Sequence, residues 1–248
     1  MIHIKSGPEI EALRRSNQIV AKVLQHLKEM VSAGTRGKEL DCAAERMIHR
    51  MGGTPAFKGY RGYPASTCVS INEQVVHGIP DSRAFVEGDI VSLDLGVIHR
   101  GYVGDAAITV PVGSVDQESR RLLEVTETAL MKGIGQAREG NRLFDISHAI
   151  QSHVEANGFS VVREFTGHGI GREMHEDPQI PNFGNPGTGD RLGSGMVLAL
   201  EPMVNAGGWQ VRVLGDGWTV VTADGKRSAH FEHSIAITDG EADVLSIL

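Results

Sequence analysis

Two aspartates in one predicted hairpin, Asp94 and Asp105, are the residues whose types and spacing first suggest chemistry. Segment 89–105 has the pattern of two strands joined by a two-residue turn at His99-Arg100. With that turn the two carboxylates lie directly opposite each other on one face, their Cβ atoms about 4.5–5.5 Å apart. Like charges so placed destabilise a sheet unless a cation lies between them. The pair predicts either a shared cation or two unrelated aspartates on a solvated strand face.

Three further side chains are candidate ligands for such a cation. His168 lies between two glycines, where little side-chain bulk would block an approaching ion. Glu201 ends an apolar run and Glu232 precedes another. Buried carboxylates without a positive partner are costly, so each of these glutamates requires one. Each is weak evidence by itself, and together they favour a metal centre.

Composition limits the class of protein. The chain has 248 residues and a net charge of −7, which argues against nucleic-acid binding, since that requires a basic face. No apolar run is long enough for a membrane-spanning helix, and the first residues lack the pattern of a signal peptide. The two cysteines, Cys42 and Cys68, fit a reducing compartment. We expect a cytoplasmic protein without a membrane or nucleic-acid partner.

Helical periodicity marks the elements that must position these side chains. It predicts helices over 6–33, 36–51, 116–138 and 142–157. Ser6 and Glu9 form a capping-box pattern at the first helix, and Gly34 follows its end. Thr35 is the expected N-cap of the second helix.

The two helix pairs are related by a shift of 106 positions. The shift superimposes Gly34 on Gly140, Arg36 on Arg142, Ala43 on Ala149 and Gly52 on Gly158. We therefore predict one catalytic domain over 1–248, built from similar halves at about 1–112 and 113–248, with a site where their strands meet.

Seven strand signals lie outside the predicted helices. Alternating or β-branched runs bounded by turn residues occur at Ser66–Ile71, Asp89–Ile98, Gly101–Val110, Met196–Val204, Trp209–Leu214, Trp218–Thr222 and Phe231–Ile237. Helices flanking a mostly antiparallel sheet make an α+β domain.

The ordered set Asp94, Asp105, His168, Glu201 and Glu232 resembles the metal-ligand signature of the methionine aminopeptidase, prolidase and creatinase superfamily. The segments Ser70–Pro80, Gly167–Arg172 and His175–Gln179 resemble those of type I methionine aminopeptidases of the short bacterial form. The resemblance covers nearly the whole chain. It implies the pita-bread fold, in which pseudo-two-fold halves place helices outside a central curved antiparallel sheet.

The resemblance also implies the ligand roles. Asp94, Asp105 and Glu232 would hold one divalent ion, and Asp105, His168, Glu201 and Glu232 a second. Co²⁺, Mn²⁺, Fe²⁺ and Zn²⁺ all remain candidates for this oxygen-rich set. The ions would activate a bridging hydroxide that attacks the scissile carbonyl, with Glu201 as the general base. A Na⁺ or K⁺ ion near Asn72 and Ser228 is implied as well.

Substrate contacts follow from the same resemblance. His175 would stabilise the developing oxyanion and His77 would contact the scissile amide, while His99, His230 and His233 are expected to be structural or solvated. The methionine pocket would be lined by Phe57, Tyr60, Tyr63, Cys68, His77, Met174, His175 and Trp218. Phe57 and Met174 depart from the residues most often found at these positions, cysteine and phenylalanine, but both remain apolar.

The implied activity is removal of the initiator methionine from peptides and nascent chains near the ribosome, with preference for a small second residue, by a monomer. One alternative is an Xaa-Pro aminopeptidase or prolidase, which shares the metal ligands. Another is a non-enzymatic binding module of the same fold, although such modules typically lose ligands and all five are present here.

Overall fold

Four α-helices and a short 3₁₀ turn form the helical part of the computed structural model, which describes residues 2–248. The helices are α1 (Gly7–Met30), α2 (Gly37–Arg50), α3 (Gln117–Gln136) and α4 (Leu143–Ala156), and the 3₁₀ turn is Tyr60–Gly62. All four helices were predicted, and none of them is long and apolar enough to cross a bilayer.

The helix starts confirm one predicted cap and correct another. The backbone N–H of Ser6 donates to Glu9 Oε2 at 3.0 Å, so the predicted capping box is present. Thr35 is not the N-cap of α2, because Arg36 holds that position and its N–H donates to Glu39 Oε2 at 2.8 Å. The Thr35 hydroxyl instead donates to the carbonyl of Met30, the last residue of α1, which ends four residues before Gly34.

The two helix pairs repeat the same local geometry at the predicted shift. The N–H of Arg142 donates to the Asp145 side chain, as that of Arg36 does to Glu39. Gly52 and Gly158 each follow a helix with φ near +80°. The glycines therefore adopt a left-handed conformation that side chains disfavour, which explains this part of the pattern.

Fifteen strands lie within residues 2–248. They are β1 (Thr54–Pro55), β2 (Cys68–Ile71), β3 (Gln74–Val76), β4 (Ile90–His99), β5 (Tyr102–Pro111), β6 (Ser160–Val161), β7 (Thr166–Gly169), β8 (Glu176–Pro181), β9 (Val197–Leu200), β10 (Met203–Asn205), β11 (Val211–Val213), β12 (Val220–Thr222), β13 (Ser228–His230), β14 (Glu232–Ala236) and β15 (Asp243–Val244).

All strand pairs are antiparallel, and most belong to one sheet with the order β1-β4-β5-β14-β9-β7-β8. β2 also pairs with β4, and β15 with β14. Two smaller sheets have the orders β13-β10-β6 and β11-β12-β3. The predicted α+β class is confirmed.

The β4–β5 hairpin differs from the predicted register. His99 pairs with Tyr102, so the turn is Arg100-Gly101 rather than His99-Arg100. Both turn residues have positive φ, 51° and 79°, as the turns that match the twist of a two-residue hairpin require. Gly101 tolerates this conformation, which explains why the turn lies one residue further along the chain than predicted.

The run Met196–Val204 was predicted as one strand, and the structure divides it into β9 and β10. These strands belong to different sheets, and the residues between them are Glu201 and Pro202. Proline has no N–H to donate to a strand ladder, so the chain leaves the main sheet at this point. The break leaves Glu201 at the end of β9.

Two apolar layers cover the main sheet. One joins α1 and α2 to the face of β4 that carries Val91, Leu93, Leu95 and Val97, all fully buried as the alternation predicts. The other joins α3 and α4 to β9 and β14. Strand pairing places Ile235 and Leu198 on the same side of the sheet as Leu95, so both helix pairs cover one face and leave the other to the acidic side chains.

We expect Gly104→Ala to lower the free energy of unfolding by about 1–3 kcal/mol, because it overpacks the contact between α1 and β5. A Cβ at Gly104 would lie 2.5 Å from the backbone nitrogen of Asn17. Gly135→Ala on α3 is the control, since a Cβ there meets nothing within 4 Å, and it should be neutral or stabilising. Urea unfolding measures both, and equal stability of the two variants would contradict the expectation.

Candidate metal centre and cavity

The five predicted metal ligands lie on five neighbouring strands of the main sheet. In the order β4, β5, β14, β9 and β7 they are Asp94, Asp105, Glu232, Glu201 and His168, with Glu201 directly after β9. Asp94 and Glu232 pair with the same residue, Ala107, from opposite sides. Directly paired residues point to the same face, so strand pairing gathers the five side chains on one face of the sheet.

Asp94 and Asp105 are not directly opposite, which corrects the predicted pairing. Asp94 faces Ala107, and Asp105 faces Gly96. The two aspartates are diagonal neighbours on the same face, because the turn is shifted by one residue. The predicted common face is right, and the predicted direct pairing is wrong.

Distances within the cluster suit a cation. One ligand atom each of Asp105, His168 and Glu232 lies within 4.8 Å of the other two. His168 Nε2 is 3.5 Å from Glu201 Oε1. Within residues 2–248 three buried carboxylate oxygens have no hydrogen-bond partner, and they belong to Asp94, Asp105 and Glu232. Such orphaned anionic atoms are costly, and oxygen-binding divalent ions would satisfy them.

Burial, together with repulsion between neighbours, makes ionisation of these carboxyl groups unfavourable. Burial, followed by the charge of Asp105, raises the pKa of Asp94 well above its ordinary value. Burial raises the pKa of Asp105 to about 7. Burial and the neighbouring aspartates likewise raise the pKa of Glu201 and Glu232. Without a cation the cluster therefore favours protons, and a divalent ion would compete for the same oxygens.

A backbone carbonyl fixes the tautomer of His168 that can bind a metal ion. Its Nδ1 lies 2.9 Å from the carbonyl oxygen of Gly169, a contact that protonates Nδ1 and leaves Nε2 with a free lone pair. Burial lowers the pKa of His168 to about 4, which favours the neutral, ligating form.

The glycines around His168 have a different purpose from the one predicted. A Cβ at Gly167 would lie 2.5 Å from the carbonyl of Ala199, and one at Gly169 would lie 2.1 Å from that of Asp177. These glycines allow β7 to approach its neighbouring chain segments closely, rather than clearing space for an ion.

Helix α1 supports the backbone of Asp105. Asn17 Oδ1 accepts the Asp105 N–H at 3.2 Å, and the Ser234 hydroxyl donates to the Asp105 carbonyl at 2.8 Å. Asn17 in turn donates to Leu13 O at 3.0 Å. All of these groups are buried. The helix and the adjacent strand thus hold the central aspartate from two sides.

A cavity of about 270 Å³ opens onto the five predicted metal ligands. Its lining includes all five of them and all eight residues predicted for the substrate pocket, namely Phe57, Tyr60, Tyr63, Cys68, His77, Met174, His175 and Trp218. Arg61 and Phe165 also line it and were not predicted. Phe165 lies two residues before Gly167, so proximity to the glycine motif was the available signal.

Aromatic contacts shape the apolar part of the cavity. Tyr63 and Trp218 meet edge to face with centroids 5.1 Å apart, and the Tyr63 hydroxyl donates to Gly78 O at 2.9 Å. A Cβ at Gly96 would lie 2.8 Å from Phe57 and 3.1 Å from Met174. Phe57 and Met174, the two departures from the family pattern, therefore both reach the backbone of β4 and share the space above Gly96.

The two other predicted histidines lie beside the ligands. The Tyr60 hydroxyl is 2.8 Å from His175 Nδ1, and the His175 ring is 4.4 Å from that of His168. His77 packs edge to face against Phe165 and Trp218. Burial lowers the pKa of His77 to about 4, so near pH 7 the ring is neutral and offers one nitrogen as a donor and the other as an acceptor.

His230 is more closely involved with the site than expected. It is buried, its Nε2 has no hydrogen-bond partner, and that atom lies 3.9 Å from Glu201 Oε2. The sequence signal was its position two residues before Glu232. His99 lies at the hairpin turn, and His233 contacts Ser246, which fits the structural role expected for them.

A family model, a curated relative and a solved structure all relate this chain to metallopeptidases. Residues 11–239 match the model of metallopeptidase family M24. Methionine aminopeptidase 1 of Bacillus subtilis is 53% identical over 246 residues, which are 99% of each chain. The crystal structure of methionine aminopeptidase from Thermotoga maritima superimposes with a TM-score of 0.99 at 48% identity, and the match covers all of both chains.

A more distant likeness shows the fold alone. The prolidase from Pyrococcus furiosus has a TM-score of 0.81 at 23% identity, over 99% of this chain and 65% of that one. Its likeness and that of the Thermotoga enzyme confirm the predicted pita-bread fold.

The metal-free protein should become more stable as pH falls from 8.5 to 7. Carboxyl groups with raised pKa, such as Asp105 at about 7, take up protons in the folded state while the unfolded chain stays ionised. The gain is at most about 1.4 kcal/mol per pH unit for each proton taken up. Below pH 6.5 the buried histidines, whose pKa is lowered, oppose the trend because they charge first in the unfolded chain.

Urea unfolding after chelation measures this slope, and Asp105→Asn should reduce it. Saturating Mn²⁺ should reverse it, because protons then compete with the ion. A metal-free protein whose stability is flat or falls from pH 8.5 to 7 would contradict the assignment of the raised pKa values.

Proposed function

The chain belongs to metallopeptidase family M24, and on that premise we propose that it removes the N-terminal methionine from peptides and nascent proteins, favouring a small second residue. The observation that carries the proposal is the joint presence of a five-ligand cluster and an apolar pocket in one cavity. Full-length relatives named methionine aminopeptidases support the choice of substrate.

Two divalent ions fit the donor set. Asp94, Asp105 and Glu232 would hold one, and Asp105, His168, Glu201 and Glu232 the other. When bound, such ions polarise a peptide carbonyl and lower the pKa of water. Four carboxylates and one imidazole suit Mn²⁺, Fe²⁺ or Co²⁺ as well as Zn²⁺. The three orphaned oxygens support at least one ion among these residues.

Glu201 is the proposed general base. Its carboxylate would take the proton of the attacking water and pass it to the leaving amine. Its place at the end of β9, where Pro202 ends the strand, supports this role, because the side chain lines the cavity. Glu201 Oε1 faces His168 and Oε2 faces His230.

His175 is proposed to stabilise the developing oxyanion. If the Tyr60 hydroxyl donates to Nδ1, the proton of the neutral ring resides on Nε2, which can then donate to the substrate. His77 is the proposed contact of the scissile amide. Its ring is held by Phe165 and Trp218, so its direction depends on packing rather than on a hydrogen bond.

The methionine side chain would occupy the apolar part of the cavity. Its walls are aromatic rings together with Cys68 and Met174, and a thioether makes favourable contacts with such groups. Because Phe57 and Met174 share the space above Gly96, we propose that they set the width of this pocket together.

We infer a cytoplasmic location and a monomer that meets nascent chains near the ribosome. The free thiols of Cys42 and Cys68 are compatible with a reducing compartment. A Na⁺ or K⁺ ion is proposed beside Asn72 and Ser228, where the Ser228 N–H donates to Asn72 O at 2.8 Å and Asn72 adopts a φ of 55°.

The protein reconstituted with Mn²⁺ should release methionine from Met-Ala-Ser and leave its N-acetylated form intact, because the proposed site holds a free N-terminal methionine. Amino-acid analysis of the products measures this. Dependence on the metal is tested by chelation and restoration. A marked preference for Xaa-Pro peptides, as the prolidase fold admits, would move the assignment to that activity.

Glu201→Gln should lower kcat by about 10²–10⁴-fold, since the amide cannot accept the proton. The same change should raise the stability of the metal-free protein near pH 7, because it removes a buried carboxyl group that must take up a proton on folding. Glu127→Gln on the exposed face of α3 is the matched control and should alter neither quantity. Full activity of Glu201→Gln would exclude its role as base.

A further inference from the structure

Arg61 is the one arginine or lysine among the residues that line the cavity. It is exposed, and within residues 2–248 no carboxylate lies at ion-pair distance from it. The arginine therefore presents an uncompensated positive charge at the opening of a site whose floor carries four carboxylates. Such a group can bind an anion that enters the cavity opening.

The Arg61 side chain is kept at the opening by its backbone and by Tyr60. Arg61 has a φ of 47°, and Gly59 and Gly62 on either side have φ of 85° and 90°. A left-handed conformation is uncommon for a residue with a side chain, and such residues concentrate at ligand-binding segments. The guanidinium carbon lies 5.4 Å from the centre of the Tyr60 ring, a distance that allows cation–π attraction.

The positive charge of Arg61 affects the pKa of His175. Tyr60 connects the two, since its ring contacts the guanidinium and its hydroxyl contacts His175 Nδ1 at 2.8 Å. Partial burial of the ring is the main reason that the pKa of His175 is lowered, and the positive charge of Arg61 is the second. Tyr60 thus links the guanidinium to the side chain proposed to stabilise the oxyanion.

The direction of the peptide follows from the two ends of the cavity. With the methionine side chain between Phe57 and Trp218 and the scissile carbonyl at the metal ligands, the following residues must leave through the opening. Arg61 and Tyr60 border that exit, so they are placed to meet the third or fourth residue of the substrate.

We propose that Arg61 is a specificity-determining residue that binds a carboxylate on the substrate chain beyond its second residue. This inference rests on the proposed aminopeptidase function. The carboxylate can come from an aspartate or glutamate at the third or fourth position, or from the free C-terminus of a tripeptide. A guanidinium suits either, because a pair of its N–H groups matches the two oxygens of a carboxylate.

The test uses C-terminally amidated pentapeptides Met-Ala-Xaa-Ser-Ser and Met-Ala-Ser-Xaa-Ser with Xaa as Asp or Lys, and measures kcat/KM. At low ionic strength the native enzyme should prefer Asp to Lys at one of these positions by about three- to tenfold, as exposed ion pairs allow. Arg61→Gln should reduce the ratio to near one, Arg61→Glu should invert it, and Arg61→Lys should retain part of it. Raising the salt to about 0.5 M should reduce the native ratio.

Comparison of free with C-terminally amidated Met-Ala-Ser tests whether the carboxylate that Arg61 binds is the C-terminus of the peptide. If Arg61 binds the C-terminus, the free tripeptide should have the lower KM in the native enzyme and lose that advantage in Arg61→Gln. Arg121→Gln is the matched control, because Arg121 is exposed and lies 5.3 Å from the Phe159 ring but does not line the cavity. It should leave every ratio unchanged.

Two results together would overturn the proposal. In Arg61→Glu the Asp-to-Lys ratio of kcat/KM would stay within twofold of the native ratio at both positions, and the kinetics of the free and amidated tripeptides would be unchanged. Failure of the proposed function is a different result, because the native enzyme would then release no methionine from any of these peptides. Salt dependence in the native enzyme tests the proposal even if a variant folds poorly.

Discussion

The structure depends on a mutual repulsion, that of four carboxylates gathered on one buried face of a sheet. Burial raises the pKa of all four, and the charges of neighbouring carboxylates raise it further at Asp94, Glu201 and Glu232. An antiparallel sheet places neighbouring strands about 4.8 Å apart, so side chains on one face cannot avoid each other. A bound cation converts this repulsion into attraction, which makes metal binding and folding parts of one equilibrium.

The surrounding structure opposes relaxation of that cluster. Asn17 on α1 and Ser234 on β14 hold the backbone of Asp105 from opposite sides. Gly104 permits α1 to approach closely enough to make the first of these bonds. The helix pairs therefore do more than cover the sheet, because they prevent the central aspartate from moving away from its neighbours. Preorganised side chains of this kind are what a metal site requires.

The cavity combines opposite environments within a few ångströms. Its floor is anionic, its wall beside Tyr63 and Trp218 is aromatic, and its opening carries the cation Arg61. These environments match a peptide in the same order: a free amino end, then an apolar first side chain, then further residues that leave through the opening. The proposed substrate and the proposed role of Arg61 thus follow from one arrangement of charge and apolar surface.

Some elements could be predicted because their signals are local. The four helices follow from periodicity, and the capping pair Ser6 and Glu9 lies within one turn. The buried stripe of β4 follows from alternation. The predicted turn of the β4–β5 hairpin was wrong by one residue. The choice between His99-Arg100 and Arg100-Gly101 depends on which two residues can adopt a positive φ. Alternation still placed both aspartates on one face, since that property survives the diagonal shift.

The sequence by itself determined the fold class, by resemblance the family, and the types and chain order of the five candidate ligands. Only the tertiary structure decided that these candidates occupy adjacent strands, since β4, β5, β14, β9 and β7 are not consecutive in the chain. It also decided that His230 lies beside Glu201 and that Arg61 borders the cavity. The reason is physical: residue type and periodicity are local properties, whereas neighbours across a sheet are chosen by the packing of the whole chain.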